Sequence, residues 1–460
     1  MIPEEIKALV VENEQLRAEL AELLQRNEQL RTELQAALIR IAELEKGKTK
    51  PPSFVKTNRP PRSDPPEPRK KRAAEQNKSR KREEPTRIER HALAHCPDCG
   101  YRLRGESVDY TRQVIELPPP EPVEVIEHQV VKRWCPHCAG WRSPRLDLSG
   151  QVIGQGRIGV RIAGLVAYLR TTLRLPVRQI QTYLETVHNL HLSNGEIVEL
   201  THQVRRQLQS QADALKAAVQ VSPVVHGDET GWRENGRNGY LWAFVTEGLE
   251  AVRYFQHDKS RGHQIAARIL GSDFDGYLVT DFYAAYNLIP SQHQRCWVHL
   301  LRDLHELKES HAETAEVLMW AAAVRQLYED AQDWLTERPE ATCEERQAEY
   351  HELFEQAGVL GKQYALTYQH PCCALAKRVM RHQDELFQFV LVPGLPADNN
   401  LAERSLRPLV VIRKVSGGSR SPDGTKTRLT LASLFGTWAA RNVNPFLQCL
   451  AALQHPPTTA

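Results

Sequence analysis

At 460 residues the chain is long enough for two or three domains, one of them with a sizeable core. Its formal net charge is only +3, from 60 Lys and Arg against 57 Asp and Glu, so evenly spread charge would say little about a polyanionic partner. No apolar run reaches membrane-spanning length and no signal-peptide pattern opens the chain, which excludes a membrane protein and predicts a soluble, cytoplasmic one. Nine cysteines is an odd number, and four of them form two close pairs, which favours metal binding over a disulfide framework. Cys343, Cys372, Cys373 and Cys449 lack ligand spacing and read as reduced structural thiols.

Residues 1–46 carry heptads. Ile6, Asn13, Leu20, Asn27, Leu34 and Ile41 take one seam position; Leu9, Leu16, Leu23, Leu30, Ala37 and Leu44 take the other. A 3.5-residue apolar repeat keeps one stripe facing a partner helix, so this segment predicts a coiled coil joining copies of the chain as a homodimer or higher oligomer. Asn13 and Asn27 in the seam favour a parallel, in-register pair. From 47 to 92 the composition shifts to Pro, Lys and Arg, with runs such as Arg69-Lys70-Lys71-Arg72. Such a linker should stay solvated and neutralise DNA phosphates without reading sequence.

Residues 93–147 hold Cys96-Pro97-Asp98-Cys99 and Cys135-Pro136-His137-Cys138. Four thiolates satisfy tetrahedral zinc with no open position, so a structural zinc ribbon is expected, and His95 and His137 are set aside as ligands. Between the pairs, Val114, Ile115, Val123, Val125, Ile126, Val130 and Val131 predict short strands. Residues 148–220 read as helical. Ser193 with Glu196 makes a capping box, and the helix, turn and capped helix around it fit a helix-turn-helix that could enter a major groove, or any helical hairpin.

The segment 221–447 changes character. Val224-Val225 leads to Asp228; the turn cluster at 235–239 precedes a strand at 240–245; a third strand, a helix through Ile265 and Leu270, and a strand ending at Asp281 follow. Three meandering strands and a crossover helix into a parallel fourth strand would set Asp228 and Asp281 side by side at two strand ends, about 4.8 Å apart. Glu403 lies far downstream on a predicted helix, where helical spacing places Asn399, Glu403 and Arg407 on one face. Two strand-end aspartates and a helical glutamate can hold a pair of divalent cations over a phosphodiester, an arrangement suited to in-line phosphoryl transfer. Glu229 rivals Asp228 but points to the opposite face of a strand, and Asp398 rivals Glu403. Cys296-x-x-His299 lacks a partner pair for zinc, and His299 is a candidate DNA contact instead. Arg302, Arg404, Arg413 and Lys414 are candidate phosphate contacts. Helical patterning from about 300 to 395, through Leu301, Leu304, Leu318, Trp320 and Val324, predicts an insertion between the second and third carboxylates.

Five stretches, in this order, carry a resemblance: His226-Gly227-Asp228-Glu229-Thr230, Asp281-Phe282-Tyr283-Ala284-Ala285-Tyr286, Cys296-Trp297-Val298-His299, Asp398-Asn399-Asn400-Leu401-Ala402-Glu403-Arg404, and Arg413-Lys414. Together with the heptads, basic linker and cysteine pairs, they resemble the DDE transposases of the insertion sequence 66 family. The resemblance implies an α/β fold: an RNase H-like catalytic core with a helical insertion, preceded by coiled coil, zinc ribbon and helical DNA-binding segment. It selects Asp228, Asp281 and Glu403 as the catalytic ligands of Mg2+ or Mn2+. Asn399 and Arg407, on the helical face of Glu403, and the adjacent Asn400 are further candidate DNA contacts. The resemblance also implies cleavage at terminal inverted repeats, joining to target DNA, structural Zn2+, and accessory proteins encoded by the same element.

Overall fold

The computed structural model describes Arg26, residues 82–117, residue 119 and residues 122–455. The heptads and the basic linker up to residue 81 lie outside the described residues. The chain divides into two units, Met1–Glu116 and Leu117–Ala460. In the first, residues 82–92 are exposed and irregular, and a tight turn closes around the first cysteine pair, where Gly100 N donates to Cys96 O at 2.9 Å.

The second unit opens with the antiparallel pair β1 (Arg133–Cys135) and β2 (Gly140–Arg142), which turns through the second cysteine pair. The strands expected at Val114, Ile115, Val123, Val125, Ile126, Val130 and Val131 do not form. Most of these side chains are well exposed, and a β-run without a second layer to bury against has little to stabilise it.

Four helices follow: α1 (Val160–Thr171), α2 (Val177–His188), α3 (Asn194–Gln207) and α4 (Gln209–Gln220). Asn189 ends α2 in the left-handed region, and α3 starts on a complete capping box. Ser193 N donates to Glu196 Oε2 at 2.8 Å while Glu196 N donates to Ser193 Oγ at 3.2 Å. These helices are no separate lobe. Ala163, Ile180, Ile197, Leu200 and Val219 share one core with sheet residues Val225, Trp242, Phe244 and Leu278.

The sheet contains β3 (Val224–Glu234), β4 (Arg237–Val245), β5 (Arg253–Asp258), β6 (Tyr277–Thr280) and β7 (Gln292–Arg295), in the order β5-β4-β3-β6-β7. The first three form an antiparallel meander, and β6 and β7 run parallel to β3. Glu234 pairs with Arg237 across a two-residue Asn235-Gly236 loop whose φ values are 49° and 75°, the left-handed pair of a type I′ hairpin. Helix α5 (His263–Leu270) makes the crossover into β6. Between β7 and the next carboxylate-bearing helix come α6 (Trp297–Ser310), α7 (Ala315–Glu337), α8 (Cys343–Ala365), α9 (Cys373–Arg381) and the short α10 (Gln383–Leu386) and α11 (Gln388–Leu391). They bury their own core of Leu300, Trp320, Val324, Leu353 and Phe389, which meets the sheet at Val279.

The chain returns as α12 (Asn400–Ser416), α13 (Pro422–Ala440) and α14 (Pro445–Gln454). Leu406, Leu409 and Ile412 of α12 pack on Trp232, Leu241, Ala243 and Phe255. That contact fixes α12 across the face of β3 that carries Asp228. The architecture is mixed α/β, with a five-stranded mixed sheet.

Candidate active site

The parallel register of β3 and β6 pairs Val225 with Leu278 and His226 with Val279. Continued by two residues, it sets Asp228 level with Asp281. Asp281 follows the last residue of β6, as the pattern of an apolar run ending in an acid suggests. Asp228 does not sit at a strand end: β3 runs on to Glu234 because β4 keeps pairing with it beyond the point where β6 stops. Neighbouring backbone N–H groups fix both carboxylates. Asp228 Oδ1 accepts from Glu229 N at 2.8 Å, and Asp281 Oδ1 accepts from Tyr283 N at 2.9 Å.

Glu403 lies in the first turn of α12, and the residues just before that helix hold it over β3. Asn399 Nδ2 donates to Gly227 O at 2.7 Å, its Oδ1 meets His226 Nδ1 at 3.2 Å, and its backbone N–H donates to Cys296 Sγ at 3.2 Å. Asn399 is 1% exposed. This corrects its assignment as a DNA contact on the helix face: it precedes the helix and spends both ends of its amide inside the protein. Cys296, weighed as half a zinc site, is a buried acceptor in the same clamp. Burial pushes the His226 imidazole down to about 4 despite the Asn399 hydrogen bond, so it stays neutral here at ordinary pH.

The electrostatics of the cluster are unfavourable as it stands. Burial, then the negative charges of Glu229, Asp281 and Glu403, push the Asp228 carboxyl up to about 8. Among the described residues no lysine or arginine forms an ion pair with Asp228, Asp281 or Glu403. His299 Nε2 approaches Glu403 Oε1 at 3.5 Å, too long for a hydrogen bond, and that buried oxygen has no hydrogen-bond partner. Glu229 belongs to the opposite face of β3, as strand alternation requires. There Tyr286 OH donates to its Oε2 at 2.6 Å and Arg261 Nη2 to its Oε1 at 2.6 Å. The Arg261 guanidinium also stacks 3.8 Å from the Tyr283 ring. Arg261 carried no motif or spacing that could have marked it; it stands in a polar loop after β5.

Arg295 is the other residue without a sequence signal. Fully buried at the end of β7, it donates to Asp281 O and Thr280 Oγ1, each at 3.0 Å, and to Asn287 Oδ1 at 2.7 Å. Its Nε is hydrogen-bonded to Glu385, which His382 also contacts. Of the expected phosphate contacts, Arg302 on α6 and Arg404, Arg407 and Lys414 on α12 are exposed, and Asn400 is half-buried. Arg413 is not available in the same way: its Nη1 donates to Thr230 Oγ1 at 2.9 Å and to Gly231 O, tying α12 to β3.

Among the described residues, no three His, Cys, Asp or Glu side chains are drawn together tightly enough to hold a metal ion as they stand. The donor chemistry nonetheless fits a hard divalent cation, because the oxygens cluster, repel one another and include the unpartnered Glu403 Oε1. The cysteine pairs suit a softer ion. Backbone N–H groups of Asp98 and Cys99 lower the Cys96 thiol, and that of Cys138, 3.4 Å from Cys135 Sγ, lowers the Cys135 thiol. Both favour the thiolate that zinc requires.

Residues 155–427, more than half the chain, match the profile of the transposase IS66 family. The chain belongs to this family. Residues 94–139 match the zinc-finger binding domain of transposase IS66, a span that contains Cys96, Cys99, Cys135 and Cys138. The IS66 match runs through α1–α4 as well as the sheet, in agreement with their common core. An uncharacterized protein of Sinorhizobium fredii, y4qI, is 25% identical over 313 residues, covering 62% of this chain and 57% of the relative. A second from the same organism, y4jO, is 40% identical over 63 residues, 14% of this chain and 20% of that one. The chain therefore spans less than two thirds of either relative.

Proposed function

We propose that this IS66 family member is a DNA transposase with an RNase H-like core, which cleaves at the terminal inverted repeats of its own insertion sequence and joins the 3′ ends to target DNA. The observation that carries the reading is the juxtaposition of Asp228 and Asp281 on parallel strands beneath the first turn of α12, where burial and neighbouring carboxylates raise the Asp228 carboxyl to about 8. The strand order β5-β4-β3-β6-β7, an antiparallel meander followed by two parallel strands, supports the RNase H-like assignment.

Asp228, Asp281 and Glu403 are the proposed ligands of Mg2+ or Mn2+. Bound there, the cations would supply charge stabilisation for the attacking and leaving oxygens of an in-line displacement at phosphorus. The protein's own share is positioning. Arg295 fixes the backbone at Asp281, and the Asn399–Cys296–His226 clamp fixes the start of the Glu403 helix. Arg302, Arg404, Arg407 and Lys414 present positive charge to the DNA backbone, with His299 beside Glu403. Hydrolysis at the element's end frees a 3′ hydroxyl, and attack of that hydroxyl on target DNA completes joining, with no protein nucleophile. Structural zinc on the four cysteines, self-association through residues 1–46, and element-encoded accessory proteins belong to the same reading.

The test is end cleavage and strand transfer with magnesium, on DNA carrying the element's own terminus. Wild type should cut and join; Asp281→Asn should lose both steps and keep DNA binding. Joining retained by Asp281→Asn would refute the assignment. Wild-type cleavage without joining would leave a nuclease, and binding with neither step would point to a missing partner or a regulator.

A further inference from the structure

The β3–β4 hairpin extends past the carboxylates and ends in a small cavity of about 200 Å³. Arg237, Lys259, Asn235, Asn238, His257 and Glu234 are among its lining residues. Arg237, Asn235, Asn238 and Lys259 are all exposed, so two cations and two amides surround the opening. Two further cations stand beside it. Arg233 is exposed and braces the turn through Gly236 O at 2.8 Å, and Arg420 follows the Ser419 backbone that hydrogen-bonds Arg233 O and Asn235 N.

Two of the acids nearby are already engaged: Asp258 pairs with Arg268, and Asp423, next to the lining Pro422, pairs with Arg205. Glu234 sits 3.6 Å from His257 Nδ1, too far for a hydrogen bond, and its one negative charge is outnumbered by the four cations. His257 Nε2 is buried with no hydrogen-bond partner. The space it uses exists because residue 239 is glycine: a Cβ there would stand 2.5 Å from His257 Nε2. Exposed guanidinium, ammonium and amide groups around one opening suit a tetrahedral oxyanion, and fit arginine and lysine recognition of phosphate.

We infer that this hairpin-tip pocket binds a backbone phosphate of duplex DNA, as a second anchoring point apart from the carboxylate site. The inference rests on the proposed DNA chemistry and adds a second contact to it. From Asp228 to Asn235 is seven residues of extended strand. The anchored phosphate therefore lies roughly 23 Å from the carboxylates, at about 3.3 Å per residue of strand.

The experiment uses the full-length chain and a duplex carrying the element's terminus. Binding is followed by fluorescence anisotropy over a salt series for wild type, for Arg237→Ala/Lys259→Ala, and for the charge-conserving Arg237→Lys/Lys259→Arg. Loss of this one phosphate contact should reduce the slope of log K against log salt by about 0.9, with affinity falling about fivefold near physiological salt. The charge-conserving variant should keep most of the slope. Ethylation interference should lose one phosphate apart from those at the cleaved bond in the alanine variant alone. An unchanged slope and footprint in a variant that still cleaves would overturn the hairpin site and leave the carboxylate reading standing. A reduced slope in a chain whose wild type never cleaves would uphold the pocket and count against that reading.

Discussion

Arg295 and Glu385 show how much of the proposed site depends on residues that do no chemistry themselves. Burial alone would raise Glu385, yet hydrogen bonds from His382 and Arg295 overcome it and hold this carboxyl down at about 2. A carboxylate with a depressed folded value stabilises the protein above its unfolded value, near 4.5, and that stability is lost as pH falls towards 2. Glu385→Gln should therefore cost roughly 3 kcal/mol at neutral pH, and the difference from wild type should vanish near pH 2. Urea unfolding at several pH values measures this; a constant difference across the range would contradict the assignment. Because Arg295 also grips the Asp281 carbonyl, Arg295→Lys should slow cleavage while leaving the salt dependence of DNA binding unchanged. At this scale the sequence was uneven. The proposed ligands stood out in the sequence as candidates, Asp228 and Asp281 from apolar runs ending in acids and Glu403 from the family motif. Arg261, Arg295 and the inward role of Asn399 did not, since each is defined by partners between 8 and 173 residues away. No local pattern records such a distance.

Secondary elements followed local chemistry more faithfully. The Asn-Gly pair at 235–236 forms the hairpin its φ preferences dictate, and Ser193 and Glu196 close the expected capping box. Ser193→Ala should lower stability by about 1 kcal/mol, a loss that a charge-neutral Ser193→Asn would largely avoid, as read by thermal unfolding. Gly418 is a stricter case. Its φ is 109°, and a Cβ would stand 2.1 Å from Arg233 O, where the chain after α12 bridges onto β3. Gly418→Ala should break that bridge and raise hydrogen exchange at Ser419 N–H, whose acceptor is Arg233 O. Unaltered protection at Ser419 would show that the backbone relaxes there without loss. The expected strands between the cysteine pairs failed for the opposite reason. Valine and isoleucine have the right propensity, but a strand is stabilised by what it packs on, and those residues pack on little.

For the molecule as a whole, periodicity suggested a helical segment preceding the sheet, yet it could not show that the two share a core. Ala163, Ile180, Ile197 and Val219 pack in the same cluster as Trp242, Phe244, Leu431 and Phe435, and Arg205 of α3 reaches Asp423 of α13 at 2.6 Å. A core is a property of the folded chain, and amphipathic helices do not announce which surface will cover them. The arrangement has a physical consequence. Deleting residues 1–220 would uncover the apolar faces of α5, α13 and α14 together with the sheet face carrying Trp242 and Phe244. Each large side chain so exposed forfeits about 1.5–3 kcal/mol, against a typical total stability of about 5–15 kcal/mol. Several such losses exceed what one domain holds in reserve. A chain beginning at residue 221 should therefore bind ANS and unfold without a cooperative calorimetric transition, whereas one beginning at residue 148 should keep a single sharp transition. A cooperative transition in the shorter chain would mean that the sheet is an independent domain and that the four helices dock on a surface already stable without them.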